Sequence, residues 1–193
     1  EIRGAGNVLG AEQSGHMEAV GYELYCKMLN EAVALLKGEE VLEDFETTVD
    51  LDIDGFIPSE YIKNEFEKLN MYKKISTITN EEEQEDIKKE LIDRFGEIPQ
   101  VTHNLLEVAL IKAKAHDVYI TEISGGKREF KISMFKNAPI DTYKIHGFLN
   151  ENKNELHFVA DSTPYFVLKP EVIPKTTDEI QKTLIRFFDK LKN

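Results

Sequence analysis

Cysteine is nearly absent from this sequence of 193 residues, which contains only Cys26. One thiol excludes an internal disulfide framework and is typical of a reducing cytoplasm. No apolar run approaches the roughly 20 residues that a membrane-spanning helix needs, and no signal peptide opens the chain. We therefore expect a cytoplasmic protein that makes no membrane contact. Because the first residue is Glu1 rather than Met, we also expect a piece of a longer protein.

Basic residues are also scarce, since 24 Lys and Arg stand against 36 Asp and Glu, for a net charge of −12. Binding to nucleic acid depends largely on Lys and Arg that neutralise phosphates, so the surface as a whole should repel DNA. A basic protein surface is the better partner for its acidic faces.

Catalytic motifs are missing as well. The sequence has no Gly-x-x-x-x-Gly-Lys-Ser/Thr phosphate loop, no Gly-x-Ser-x-Gly elbow, and five histidines without a His-x-x-x-His pattern. Asp178-Glu179 superficially resembles the acidic pair of ATPases, but it opens an amphipathic segment, which favours acids at a helix start. We expect no catalysis, cofactor or metal in this chain. Carboxylates with raised pKa values in a cleft would reopen that question.

The chain divides into two predicted parts. Residues 1–16 are rich in glycine and predict a loop, after which a helical apolar period runs from Met17 to about Lys37. The composition, 41% hydrophobic and 31% charged, suffices for one domain of good size plus an appendage. We place the boundary near residue 43, which gives parts of 1–42 and 43–193.

Residues 39–54 carry eight acids and no basic residue, yet part of this segment predicts a strand. From Phe45 to Ile53, apolar or Thr residues alternate with more polar ones, mostly acidic. A period of two predicts a strand with one solvated, anionic face.

Three helices are predicted next. The first opens at Pro58-Ser59-Glu60 and runs through the apolar residues Tyr61, Ile62, Phe66, Leu69, Tyr72 and Ile75. Asn80 caps the second, whose first acids favour the positive end of the helix, and Gly96 ends it. The third begins at or near Pro99 and runs to about Ala115.

The period then changes from about 3.6 to two. Segments 118–123 and 129–134 flank a glycine turn and predict a hairpin, and segments 156–160 and 165–168 predict a second strand pair. A short helix is expected around 141–149 and an amphipathic helix over 177–191. Because helices and strands come in separate runs, the predicted fold class is α+β, with several helices packed against small antiparallel hairpins.

Residues 1–16, which include Gln13-Ser14-Gly15, closely resemble the loop of a translocation motif. Transcription-repair coupling factors (the Mfd family) and RecG-type helicases share this motif, which couples the nucleotide site to movement along double-stranded DNA. The resemblance implies coupling roles for Arg3 and Gln13. Arg3 offers a planar fork to a phosphate or a carboxylate, and Gln13 can both donate and accept. The alternative is a plain loop.

A second set of residues resembles the domain at the C-terminus of transcription-repair coupling factors, which RecG-type helicases lack. The set consists of Phe56-Ile57-Pro58, Tyr72-Lys73-Lys74-Ile75 and the run from Glu90 to Pro99, in the family's order. The resemblance covers residues 1 to about 115 well, whereas 116–193 match in pattern more than in letters.

In that family the C-terminal domain folds back on the N-terminal module that binds the repair protein UvrA and hides it. The resemblance implies that Glu90, Asp93 and Arg94 make the polar contacts of this docking. Their spacings of three and four put them on one helix face. The apolar neighbours are expected to point to the core: Leu91, Ile92 and Phe95. The alternative is a solvated face with an internal Glu90–Arg94 pair worth about 0.2–0.5 kcal/mol.

For the intact protein, the resemblance implies an ATP-dependent double-stranded DNA translocase, with ATP and Mg²⁺ in its motor lobes. Such a protein displaces stalled RNA polymerase and recruits nucleotide-excision repair through UvrA. The alternative from another class is a free-standing nucleic-acid-binding module. That alternative predicts salt-sensitive DNA binding, against which the net charge argues.

Overall fold

The computed structural model describes residues 45–126, 129–139 and 142–192, all within Asp44–Asn193, the second of two units into which the chain divides. The described residues contain five α-helices, five strands and one 3-10 turn. In chain order these are β1 (Thr48–Leu51), α1 (Glu65–Ser76), α2 (Glu81–Phe95), α3 (Gln100–Asp117), β2 (Ile120–Gly125), β3 (Phe130–Met134), α4 (Thr142–Glu151), β4 (Leu156–Val159), β5 (Tyr165–Leu168), the turn Pro170–Val172, and α5 (Thr177–Lys192). The predicted loop and helix of residues 1–42 lie outside the described residues.

The five strands form one mixed sheet in the order β1-β2-β3-β5-β4. Both predicted hairpins are present, and they join because β3 pairs with β5 as well as with β2. Strand β1 lies at one edge and runs parallel to β2, with Val49 opposite Ile123. The predicted α+β class is confirmed, and the hairpins belong to a single sheet.

Strand β1 shows the predicted alternation. Thr48 and Asp50 are exposed, while Val49 and Leu51 pack against the core beneath the sheet. The preceding Thr47 is buried, and its hydroxyl donates a hydrogen bond to a carbonyl of β2 at 2.6 Å. The acids of this segment therefore occupy its solvated side.

Buried apolar side chains form two clusters. The sheet cluster combines the strands with α4, α5 and the end of α3, and the helical cluster combines α1, α2 and the start of α3. Helix α3 serves both, because Leu106 and Leu110 belong to the helical cluster and Ile111 and Ala115 to the sheet cluster. One helix thus holds the two clusters together.

Helix α1 begins later than predicted. The Pro58 carbonyl accepts the N–H groups of Tyr61 and Ile62, which makes a single turn. The helix itself starts after Asn64, whose side chain accepts hydrogen bonds from two N–H groups of the first turn at 3.0 and 3.1 Å. Asparagine at this position ends the preceding turn and starts a new helix, because its oxygen satisfies free donors.

Only part of the apolar series predicted for α1 is buried. Phe66 and Leu69 of this series are 72% and 52% exposed. Met71 and Ile75, four residues apart, are the buried pair. Leu69 precedes Met71 by two residues and therefore lies about 160° round the helix, on the solvent side.

The predicted ends of α2 are confirmed. The Asn80 side chain accepts from the Glu83 N–H at 2.9 Å, and the Glu83 carboxylate accepts from the Thr79 N–H at 2.8 Å. The two hydrogen bonds satisfy backbone N–H groups at the start of the helix that have no acceptor within it. Gly96 follows the last residue with a φ of +87°, a region that favours glycine.

The acids at 178–179 start α5, as predicted. The Thr176 hydroxyl accepts from the Glu179 N–H at 3.2 Å, and the Glu179 carboxylate accepts from the Lys175 N–H at 2.7 Å. The first contact caps the helix, and the second ties the residue before the cap to the first turn. The pair therefore needs no catalytic explanation.

Candidate docking face

Three of the five predicted site residues lie in the described part of the chain, and all three are on α2. They are Glu90, Asp93 and Arg94, in its last two turns. Arg3 and Gln13 lie outside the described residues, so their coupling roles stay predictions.

These residues point away from the core, because α2 buries only a narrow stripe of its surface. Leu91 is 0% exposed, and Gln84, two turns earlier, is buried with its amide donating to the Leu106 carbonyl at 3.0 Å. The expectation that Ile92 points to the core is wrong, since this residue is 54% exposed. It lies about 100° round the helix from Leu91, outside the stripe.

Four alternating charges, here called the charge chain, join α1 to α2. The Lys74 ammonium lies 2.6 Å from one carboxylate oxygen of Glu90 and 2.7 Å from the other. Arg94 donates to Glu90 at 2.8 Å and to Glu67 at 3.0 Å. The internal Glu90–Arg94 pair that spacing alone allowed is therefore present, as the central link of a cross-helix chain.

Packing also restrains Arg94. Its guanidinium carbon lies 4.8 Å from the centroid of the Phe95 ring, and one of its nitrogens is 3.9 Å from the Met71 sulfur. A planar group held by two carboxylates and an aromatic ring has few other positions to adopt. The Arg94 side chain is therefore preorganised.

The charge chain lowers the pKa of the Glu90 carboxyl group. The hydrogen bond from Lys74 is the largest cause, and the bond from Arg94 adds to it, while partial burial opposes both. Glu90 is therefore ionised at neutral pH, with its oxygens already engaged inside the domain.

Asp93 differs from the two residues beside it in the motif. It is exposed and, among the residues that the structure describes, its carboxylate makes no hydrogen bond or ion pair. Asp86 is exposed on the same outer side of α2, two turns earlier, and pairs with Lys89 at 2.9 Å. Asp93 is thus the carboxylate of the motif that a partner can reach.

Sequence reasoning missed Glu67 and Lys74. They precede Arg94 and Glu90 by 27 and 16 residues and lie on another helix, so no spacing within one helix connects them. The available signal was indirect, because Lys74 belongs to the segment Tyr72-Lys73-Lys74-Ile75 that carries the family resemblance.

The described carboxyl groups with a shifted pKa lie in ion pairs or at a helix start. Within 45–126, 129–139 and 142–192, no group of three or more His, Cys, Asp or Glu is arranged to hold a metal ion. The pKa values of Glu81, Glu83 and Glu85 are lowered, each mainly by a hydrogen bond. Lowered carboxyl pKa values fit ion pairs and helix starts. In the same ranges, none of the helices is long and apolar enough to span a membrane.

Comparisons with known proteins agree on one family. The model of the TRCF domain matches residues 51–145. A transcription-repair-coupling factor of Rickettsia conorii is 36% identical over 171 residues, which are 88% of this chain and 15% of that protein. Those of Bacillus subtilis and Staphylococcus haemolyticus are 37% identical over 153 residues and 41% over 139, with 78% and 71% of this chain covered. The chain spans 13% and 12% of the length of these two relatives.

A solved structure shares the fold. The crystal structure of the C-terminal domain of a transcription-repair coupling factor aligns with a TM-score of 0.67 and 27% identity. The alignment covers 76% of this chain and 92% of that one. Residues 67–94, which contain the charge chain and Asp93, lie inside the segment that the family model matches.

Proposed function

Because this chain belongs to the family of transcription-repair coupling factors and contains their C-terminal domain, we propose that it is the regulatory part of an ATP-dependent double-stranded DNA translocase. The intact protein acts in the cytoplasm, displaces stalled RNA polymerase, and recruits nucleotide-excision repair through UvrA. ATP and Mg²⁺ bind in the motor lobes, and Arg3 and Gln13 couple the nucleotide site to movement on DNA. This chain itself performs no catalysis.

The domain's own role in this proposal is autoinhibition, in which α2 docks on the N-terminal UvrA-binding module and masks it. The arrangement of the matched motif supports this role. Glu90 and Arg94 are fixed by the charge chain, and Asp93 beside them is exposed without a partner among the described residues. A preorganised charged face with one open carboxylate suits recognition of a basic surface.

A charged docking face also suits an inhibitory contact that must open. Ion pairs across an interface contribute orientation and specificity more reliably than affinity. A difference of about 1.4 kcal/mol changes the ratio of closed to open forms tenfold. A docking free energy of a few kcal/mol therefore suffices for masking. A competitor for the same surface then shifts the population to the open form.

The free-standing nucleic-acid-binding module is supported less well. The net charge is −12, and the exposed side chains of β1 and of the start of α2 include several acids. A titration of this chain with double-stranded DNA at low salt tests that alternative directly, because phosphate binding is strongest there.

The proposed function is tested by measuring binding between this chain and the separately expressed N-terminal module of the same protein. A Glu90→Ala/Asp93→Ala double variant removes two carboxylates from the face. A Glu151→Ala/Glu171→Ala variant is the matched control, because it changes the net charge equally at exposed positions elsewhere.

Binding that the double variant loses and the control variant keeps is the expected result. Because a tethered partner reaches an effective concentration of about 1 mM, the titration must extend to that range. Absence of binding there, or equal binding by all three proteins, contradicts docking through this face.

A further inference from the structure

Two large apolar side chains stand on the solvent side of α1, next to the charge chain. Phe66 is 72% exposed and Leu69 is 52% exposed. Residues three apart share a helix face, so the two side chains form one apolar patch. Single exposed apolar residues are ordinary, whereas an exposed phenylalanine beside a leucine is a surface that protein interfaces commonly bury.

The apolar patch borders the open carboxylate of α2. Phe66 directly precedes Glu67 in the chain, and Asp93 directly precedes Arg94. Because Glu67 and Arg94 form an ion pair at 3.0 Å, Phe66 and Asp93 flank the same cross-helix bridge. The apolar patch and the exposed carboxylate therefore lie one residue away from the two ends of the same bridge.

The charge beside the apolar patch indicates the chemistry of a partner. Glu82, Asp86 and Asp93 lie on the outer side of α2, where Lys89 forms an ion pair with Asp86 at 2.9 Å. This side of α2 is therefore anionic, and an approaching protein gains from a complementary positive charge.

We propose that Phe66 and Leu69 are the apolar anchors of the docking face, and that their partner is a protein surface with an apolar depression bordered by an arginine or lysine. The inference rests on the proposed function, under which this surface belongs to the UvrA-binding module. Phe66 fills the depression, Asp93 accepts a hydrogen bond from the basic side chain, and the charge chain keeps α1 and α2 in register. The apolar patch then supplies affinity, and the charges supply orientation.

The test is an NMR titration of the labelled N-terminal module with this chain, up to about 1 mM, the concentration range that tethering imposes. The variants are Phe66→Ser and Leu69→Ser. Ile92→Ser is the matched control. Ile92 is 54% exposed, nearly the same fraction as the 52% of Leu69, and it lies about 100° round α2 from Asp93. All three positions are exposed, so each variant should fold, and circular dichroism with thermal melting checks this.

We expect Phe66→Ser to weaken binding about tenfold or more, Leu69→Ser about threefold, and Ile92→Ser less than about twofold. Wild-type affinity in both anchor variants would overturn this inference and leave the proposed function intact. No binding by the wild-type chain at about 1 mM would overturn both. Sedimentation of the chain alone tests whether the apolar patch binds a second copy of the chain instead. A dimer that Phe66→Ser abolishes would assign the patch to that second copy and overturn the inference.

Discussion

The two clusters of this domain differ in how they are built. Among the described residues, the sheet cluster has seventeen buried members, five of them phenylalanine, whereas the helical cluster has nine and none is aromatic. Phe148 and Phe166 meet Phe187 edge to face in the sheet cluster, with centroids 4.9 and 5.1 Å apart. The helical cluster is bordered by ion pairs between its helices, among them the charge chain. We therefore expect the sheet half to supply most of the stability, while the helical half presents the candidate docking face.

Removing a phenylalanine from the sheet cluster should have the largest effect on stability. Phe166 is 0% exposed, and its ring packs against Phe148, Phe158 and Phe187. We expect Phe166→Ala to lower the free energy of unfolding by about 3–5 kcal/mol, because it leaves a cavity. Urea denaturation measures the change. Phe66→Ala, at an exposed position, is the control and should cost less than about 0.5 kcal/mol. Comparable losses in the two variants would show that the sheet cluster is not the stabilising half.

A cavity in the helical cluster should have a smaller and more local effect. Leu91 is 0% exposed and faces this cluster. We expect Leu91→Ala to cost about 2–4 kcal/mol, with faster hydrogen exchange in α1 and α2 than in the strands. If hydrogen exchange in all five strands accelerates as much as in α1 and α2, the two halves open only as one unit.

Loss of the α2 cap should have a moderate effect. Replacing Asn80 by alanine removes the acceptor for the Glu83 N–H, and we expect a loss of about 1 kcal/mol. Asn80→Asp keeps an acceptor at the same position and serves as the control in thermal denaturation. If the two variants melt at the same temperature, the cap does not stabilise α2 in the way described.

The charge chain should contribute least to stability, and its contribution should depend on pH. The pKa of Glu90 is lowered in the folded protein, chiefly by Lys74. Its stabilising effect is therefore full above the unfolded pKa of about 4.3 and is lost as the pH falls through the lower folded pKa. Glu90→Gln should thus be less stable than wild type at pH 7 by no more than about 1 kcal/mol, since the pair is largely at the surface. Urea titrations at several pH values measure the gap, which should close in acid. A gap that widens as the pH falls has the opposite sign and rules out this account.

Much of the fold follows from local patterns in the sequence. The hairpins, the Asn80 cap, Gly96 and the alternation of β1 depend on residues close together in the chain, so periodicity and cap chemistry predict them. The parallel pairing of β1 with β2 joins residues about 73 positions apart, as between Thr47 and Ile120. No local pattern predicts such a pairing.

The errors at the candidate site have a related cause. The exposure of Phe66, Leu69 and Ile92 depends on which helix faces meet in the helical cluster, and hydrophobicity alone does not predict it. The motif predicted Glu90, Asp93 and Arg94, but their division into two engaged residues and one open carboxylate depends on Lys74 and Glu67 of another helix.

The docking claim is tested most directly in the intact parent protein by its affinity for UvrA. Asp93→Lys reverses the charge of the open carboxylate and breaks no contact among the described residues, so the domain should keep its fold. We expect this variant to bind UvrA about tenfold more tightly than wild type, because the closed form is destabilised. Glu151→Lys, an equal charge reversal at an exposed position of the sheet half, should leave that affinity unchanged. Equal affinity of wild type and Asp93→Lys for UvrA would contradict a masking role for this face.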